Sequence, residues 1–228
     1  MKFTLYHYPA TRSARVRWAL YETVGDDFET RRVDLYAGEQ YGADHLARNP
    51  NHNVPVLEIE WDDGARTTML ESTAMVSFLA DAFPDKGLAP APLSKERADY
   101  QQMLQFAGTT MDMMLWQIRI HEHVLPADEC DRRTVERYRA KFETEVEPQL
   151  AARLERHPFA CGDDFTAADC VLGHSVSWAR GYGLCQDKVF RRYISTLAQR
   201  PAFRKAFDDV GEFKPEPPTR EERSMFNG

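Results

Sequence analysis

Cysteine is scarce and scattered in this chain: Cys130, Cys161, Cys170 and Cys185 are the only four, with no CxxC or zinc-ligand spacing. That spacing excludes a disulfide scaffold and a zinc ribbon, and predicts the reduced thiols of a cytoplasmic protein. Long apolar runs are missing too. No stretch approaches the roughly 20 residues a membrane span needs, and the opening MKFTLYHYP lacks a signal-peptide pattern. There is no basic stripe either. With 29 Lys and Arg against 36 Asp and Glu the net charge is −7, which argues against nucleic acid as a main partner. His121-Glu122-His123 is no metal site on spacing, because adjacent helix positions do not face together, and no metal is expected. What remains is a 228-residue chain, 43% hydrophobic and 29% charged. Those are the proportions of a soluble globular protein with one large or two modest domains.

The stretch from Asn49 to Pro84 carries the densest signal. Val54-Pro55-Val56-Leu57-Glu58-Ile59-Glu60 alternates apolar and polar residues and suits a half-buried strand, with the proline at its start, where no ladder donor is needed. Asp62-Asp63-Gly64 is a hairpin turn, and Ala65 to Leu70 returns as the partner strand. Glu71-Ser72 then opens a helix that ends at Pro84. Before it, Lys2 to Tyr8 predicts a strand, Ser13 to Val24 a helix, Phe28 to Leu35 a second strand and Glu39 to Arg48 a short helix. The order is βαβ, helix, ββα, and a βαβ unit implies a parallel pair.

Residues 85 to 93 read as a linker, being rich in proline, glycine and alanine. Beyond them strand signals vanish. Long helices are expected from Ser94 to about His123 and from Asp131 to about Arg156, the latter bent at Pro148. Helices also fit Thr166 to Tyr182, Asp187 to Gln199 and Pro201 to Val210, followed by a polar tail over 214–228. Within Gly162 to Asp169, Thr166 sits as N-cap with Asp169 three positions on, an acidic form of the capping box.

Taken together, Val54-Pro55-Val56-Leu57, Glu71-Ser72 and Gly162-Asp163-Asp164-Phe165-Thr166-Ala167-Ala168-Asp169 resemble the glutathione S-transferase superfamily, in a serine/threonine-type, bacterial-like form. The resemblance implies a thioredoxin-like α/β domain over 1–84, the linker over 85–93 and an all-α domain over 94–213. It implies glutathione as co-substrate, a cis Val54-Pro55 bond and a homodimer. The activity it implies is attack of the glutathione sulfur on an apolar electrophile, in detoxification or, on the same fold, as a peroxidase, isomerase or ether-cleaving enzyme. A module of this fold that binds without turnover is the alternative from another class.

The chemistry sets what the site must contain. A free thiol has a pKa of about 8.5, so a donor must be aimed at the sulfur, preferably where a helix N-terminus favours negative charge. The turn between the first strand and first helix holds Thr11, which matches the hydroxyl residue of serine-type relatives. Ser13 is the second candidate and Tyr6, near the end of strand one, the third. Helix capping competes as a role for Thr11 and Ser13. Arg12 and Arg15 are expected to be solvated, with Arg12 able to face an anion. By resemblance, Glu71 and Ser72 would hold the γ-glutamyl end, the backbone at Val54-Pro55 the cysteinyl amide, and Asn53 the glycyl end. Met111, Met114 and Trp116 are the candidates for the electrophile pocket.

Overall fold

The computed structural model describes residues 1–213; the polar tail expected over 214–228 lies outside the described residues. Four strands, β1 (Lys2–His7), β2 (Glu29–Arg32), β3 (Val56–Glu60) and β4 (Arg66–Met69), form one sheet in the order β2-β1-β3-β4. β1 runs parallel to β2 and antiparallel to β3, and β3 and β4 close the hairpin. Between β1 and β2 runs α1 (Ser13–Thr23); α2 (Ala43–Arg48) precedes β3, and α3 (Ser72–Ala82) follows β4.

The period-two alternation of β1 and β3 decides which side chains can meet the site. Phe3 and Leu5 of β1, with Leu57 and Ile59 of β3, enter the main core beside Val16, Ala19 and Leu79 of α1 and α3. Tyr6 and Val56 project to the other face, into a small cluster with Tyr8, Val33 and Val54. His7 is back on the α1 side and is only 2% exposed.

The remainder is helical. α4 (Lys95–Gln105) continues through a π-helical turn, Phe106–Met111, into α5 (Asp112–Arg119). The extra residue per turn re-phases the helix, so α4 and α5 present different faces to the core. Gly108 lies in that turn because a Cβ there would strike the Thr73 side chain in the first turn of α3. α6 (Arg132–Lys141) passes through a second such turn, Phe142–Val146, into α7 (Glu147–Arg156). The irregularity expected at Pro148 therefore falls just before it, and the proline takes an early helical position where its missing N–H leaves nothing unpaired. α8 (Ala167–Gly181) is the central helix, buried over most of its length, and α9 (Lys188–Leu197) and α10 (Pro201–Ala206) pack around it and α1. At the start of α8 the capping box forms, with the Asp169 carboxylate accepting the Thr166 N–H at 2.9 Å. The four cysteines are free thiols.

Candidate functional site

The turn from β1 into α1 and the loop before β3 open onto one cavity of about 730 Å³. Thr11, Asn53 and Val54 line it from the sheet half; Trp116, Arg119 and Trp178 line it from the helices. The Val54-Pro55 bond is cis, and the β1–β3 ladder begins only at Val56, leaving the Val54 backbone outside it. Asn53 is steadied from behind: its carbonyl accepts from Asn49 Nδ2 at 2.9 Å, and His45 Nε2 lies 3.0 Å away.

Of the three candidate thiol donors, only Thr11 borders the cavity. Its local contact with the Ser13 N–H is long, 3.4 Å, and no side chain caps α1. Ser13 is fully buried one layer behind, 2.7 Å from Thr11 Oγ1. Tyr6 is a correction. Strand alternation carries its ring to the face away from α1, where its hydroxyl donates to Glu58 Oε2 at 3.1 Å. Burial and that carboxylate acceptor push its pKa up, the opposite of what a thiol donor needs.

Glu71 and Ser72 open α3, and neither lines the cavity. Glu71 holds a φ of 71° and makes no side-chain cap, so the first N–H groups of α3 have no capping side chain. Ser72 is 6% exposed, and its hydroxyl accepts from Arg15 Nη1 at 3.4 Å.

The largest departure from expectation is Arg15, which is not solvated but 0% exposed. All five of its N–H groups are used. Nη1 and Nη2 clasp the two oxygens of Asp112, Nη1 also reaches Ser72, Nη2 donates to Ser175 at 3.0 Å, and Nε to His174 Nδ1 at 3.1 Å. Arg12 adds a second guanidinium on Asp112, Nε to Oδ2 at 2.7 Å. Burial by itself would push the Asp112 carboxyl up; the Arg15 and Arg12 charges overcome it and hold the group far below the usual carboxylate range. His174 is driven the other way, to about 3, by burial and by the Arg15 charge, so it is a neutral acceptor for Arg15. This network ties α1, α3, α5 and α8 together behind the cavity, and pairs so distant in sequence carry no local signal.

Trp116 does line the cavity, whereas Met111 and Met114 do not. They are 0% and 1% exposed in the core: three positions apart, they share one face of the helix, whereas Trp116 and Arg119, also three apart, share another that faces the opening. The Arg12 guanidinium lies between two indoles, 5.3 Å from the Trp116 ring centre and 5.0 Å from that of Trp178. Arg119 lies 5.2 Å over Phe213 and has no carboxylate within ion-pair distance among the described residues. Among the described residues no Asp or Glu lines the cavity. Among the described residues no cluster of His, Cys, Asp and Glu suits a metal, and no helix is long and apolar enough to cross a membrane.

Comparison with known proteins agrees with this architecture. The family profile described as Glutathione S-transferase, N-terminal domain, matches residues 1–81. Glutathione S-transferase Z1 of Arabidopsis thaliana is 30% identical over 213 residues, covering 92% of this chain and 88% of that protein. Glutathione S-transferase GstA of Escherichia coli O157:H7 is 28% identical over 213 residues, with 91% and 98% covered. Among solved structures, a sphingomonad glutathione S-transferase complexed with glutathione superposes with a TM-score of 0.75 at 27% identity, over 91% of this chain and 98% of that one. A thioredoxin-like sheet half with an all-helical half behind it, sharing one cavity, is the glutathione transferase architecture, and the chain belongs to the glutathione S-transferase family of enzymes.

Proposed function

We propose that the protein ionises glutathione at Thr11 and transfers the sulfur to an electrophilic carbon of a flat second substrate bearing an acidic group. The observation that carries the reading is that Thr11, Val54 and an aromatic, cationic wall of the helical half line one cavity. In this reading the Thr11 hydroxyl donates to the thiolate, which stabilises only the charged form and lowers the thiol pKa. Val54 pairs with the cysteinyl amide as a short strand addition, and Asn53 meets the glycyl end. The γ-glutamyl carboxylate sits at the uncapped start of α3, with Ser72 donating to it and the Arg15 charge behind, while Glu71 meets the ammonium. Residues 1–84 thus supply the glutathione end, and 94–213 the electrophile end.

The apolar second substrate expected from sequence is narrowed in this reading. Trp116, Trp178 and Tyr182 supply flat walls, and Arg119, which has no Asp or Glu partner among the described residues, supplies a counter-charge. The test is calorimetric titration with glutathione, then turnover of paired neutral and carboxylate-bearing aromatic electrophiles. Thr11→Ala should lower kcat on the order of 10²–10³-fold with little change in glutathione affinity, and Thr11→Ser should retain most activity. Equal turnover by Thr11→Ala, or no binding of glutathione, would sink the assignment.

A further inference from the structure

Behind Thr11 runs a chain of short contacts that the reading above leaves unused. Thr11 Oγ1 is 2.7 Å from Ser13 Oγ, and Ser13 Oγ is 2.7 Å from His7 Nδ1. His7 Nε2 is 2.9 Å from Asp209 Oδ2, which also accepts from Arg17 Nη1 at 2.8 Å. Ser13 and His7 are sealed from solvent; only Thr11 reaches the cavity. We propose that His7, oriented by Asp209, is the base that receives the glutathione thiol proton, relayed through the Thr11 and Ser13 hydroxyls. The proposal rests on Thr11 being the residue that meets the sulfur.

The hydrogen-bond directions follow from chemistry. Burial pushes the Asp209 carboxyl up, but its bonds to His7 and Arg17 outweigh burial and hold it below the usual range, so it is an acceptor only. His7 Nε2 must therefore carry a proton toward Asp209, which leaves the Nδ1 lone pair facing Ser13. The Ser13 hydroxyl donates there, and its oxygen accepts the Tyr8 N–H at 3.2 Å. The Ser13 oxygen also stands ready for the Thr11 proton. The Tyr8 carbonyl, 2.7 Å from Thr11 Oγ1 and 3.1 Å from Ser13 Oγ, is the competing acceptor that holds both hydroxyls in place before a thiol arrives.

The transfer balances with one proton and no electrons. The S–H bond breaks as its proton passes to Thr11 Oγ1; Thr11 gives its own to Ser13 Oγ, and Ser13 gives its own to His7 Nδ1. Both hydroxyls end unchanged. The proton Thr11 has received points back at the sulfur and becomes the donor that the thiolate needs. A buried imidazolium is costly alone; here it forms against the Asp209 carboxylate. Among the described residues, the other charged groups around it are Arg17, which also pairs with Asp208, and Arg32 on the neighbouring strand, which pairs with Glu212. When the thioether has left, the proton returns through Ser13 and Thr11 and passes to water entering the emptied cavity, which restores neutral His7.

His7 does not touch the substrate, so it is a positioning and proton-holding residue, and its test needs a readout that packing alone would not move. That readout is a proton inventory: calorimetry of glutathione binding to the full chain in buffers of different ionisation heat, alongside thiolate absorbance against pH. In the wild type, thiolate should form with far less than one proton released per thiolate, because the proton stays on His7. In His7→Asn, which keeps an acceptor for Ser13 but no base, thiolate should form only by releasing its proton to buffer. Its kcat/KM below neutral pH should fall by roughly a hundredfold, within the range for a lost general base, with glutathione affinity within about threefold. Asp209→Asn should shift the same profile less. One proton released per thiolate in the wild type overturns the relay, and that measurement needs no variant to fold. So does an unchanged pH profile in His7→Asn when Thr11→Ala moves the thiolate titration. If Thr11→Ala leaves the titration unmoved, the assignment of Thr11 falls and takes the relay with it.

Discussion

Asp112, at the start of α5, lies against two guanidiniums; Asp169, in the first turn of α8, lies against none. Both are buried, at 5% and 0% exposure. Asp169 is held by the N–H groups of Ala160 and Thr166 and the hydroxyls of Tyr193 and Thr166, all neutral donors. Burial therefore wins at Asp169 and raises its pKa, while charge wins at Asp112 and lowers it. A carboxylate paired with cations behind a cavity is coupled to whatever anion enters the cavity. One satisfied by backbone and hydroxyls serves the fold alone. The cavity is thus backed by a charged cluster, and the start of α8 is organised by neutral donors.

The comparison breaks most sharply with Asp112→Ala. It would leave Arg15 buried without a counter-ion, and removing one member of a buried pair typically costs about 3–5 kcal/mol. Urea unfolding monitored by circular dichroism should show that loss, together with weakened glutathione binding through the shared Ser72.

Acid sharpens the contrast, because the two groups act on stability with opposite sign. Asp112 titrates lower folded than unfolded, so its contribution is complete above the unfolded value near 3.9 and is lost as pH falls through the folded one. Asp169 titrates higher folded than unfolded; its contribution is complete below the unfolded value and is lost as pH rises through the folded one. Unfolding free energies between about pH 3 and 6 should show a flatter acid limb in Asp112→Asn and a steeper one in Asp169→Asn. Each slope should change by at most about 1.4 kcal/mol per pH unit, the value for one proton. Slopes that move the same way would mean both carboxylates are governed by burial alone.

The smallest effect concerns the neutral cluster. Thr166→Ala removes one hydroxyl and should cost about 1 kcal/mol, seen as a lower urea midpoint with glutathione affinity unchanged.

How legible each part was depends on how far its partners lie along the chain. The hairpin at Gly64 and the Thr166–Asp169 box are written within a few residues, and the cis Val54-Pro55 bond was expected from the family resemblance. The ends of elements moved: β2, expected over Phe28 to Leu35, covers only Glu29–Arg32, and Glu39 to Arg48 divides into a single 3-10 turn and α2. Met111 and Met114 share a helix face that Trp116, two positions past Met114, does not, and only the packing of α5 decides which of those faces meets the cavity. Arg15 looked like a surface charge because its partner Asp112 is 97 positions away. The partner of His7 is 202 positions away, so nothing beside either residue announces the pair.

That last separation sets an order of assembly in time. Synthesis delivers His7, Thr11 and Ser13 long before Asp209, which follows His7 by 202 positions, and before the cavity walls at Phe207 and Phe213. Domains commonly begin to fold as they emerge from the ribosome, so the sheet half has the opportunity to form with its site open on the helical side and His7 lacking its carboxylate. A nascent chain stopped before α10 would carry Thr11, Asn53 and Val54 yet lack Asp209 and the walls at Phe207 and Phe213, so the cavity is finished only after α10 has been made.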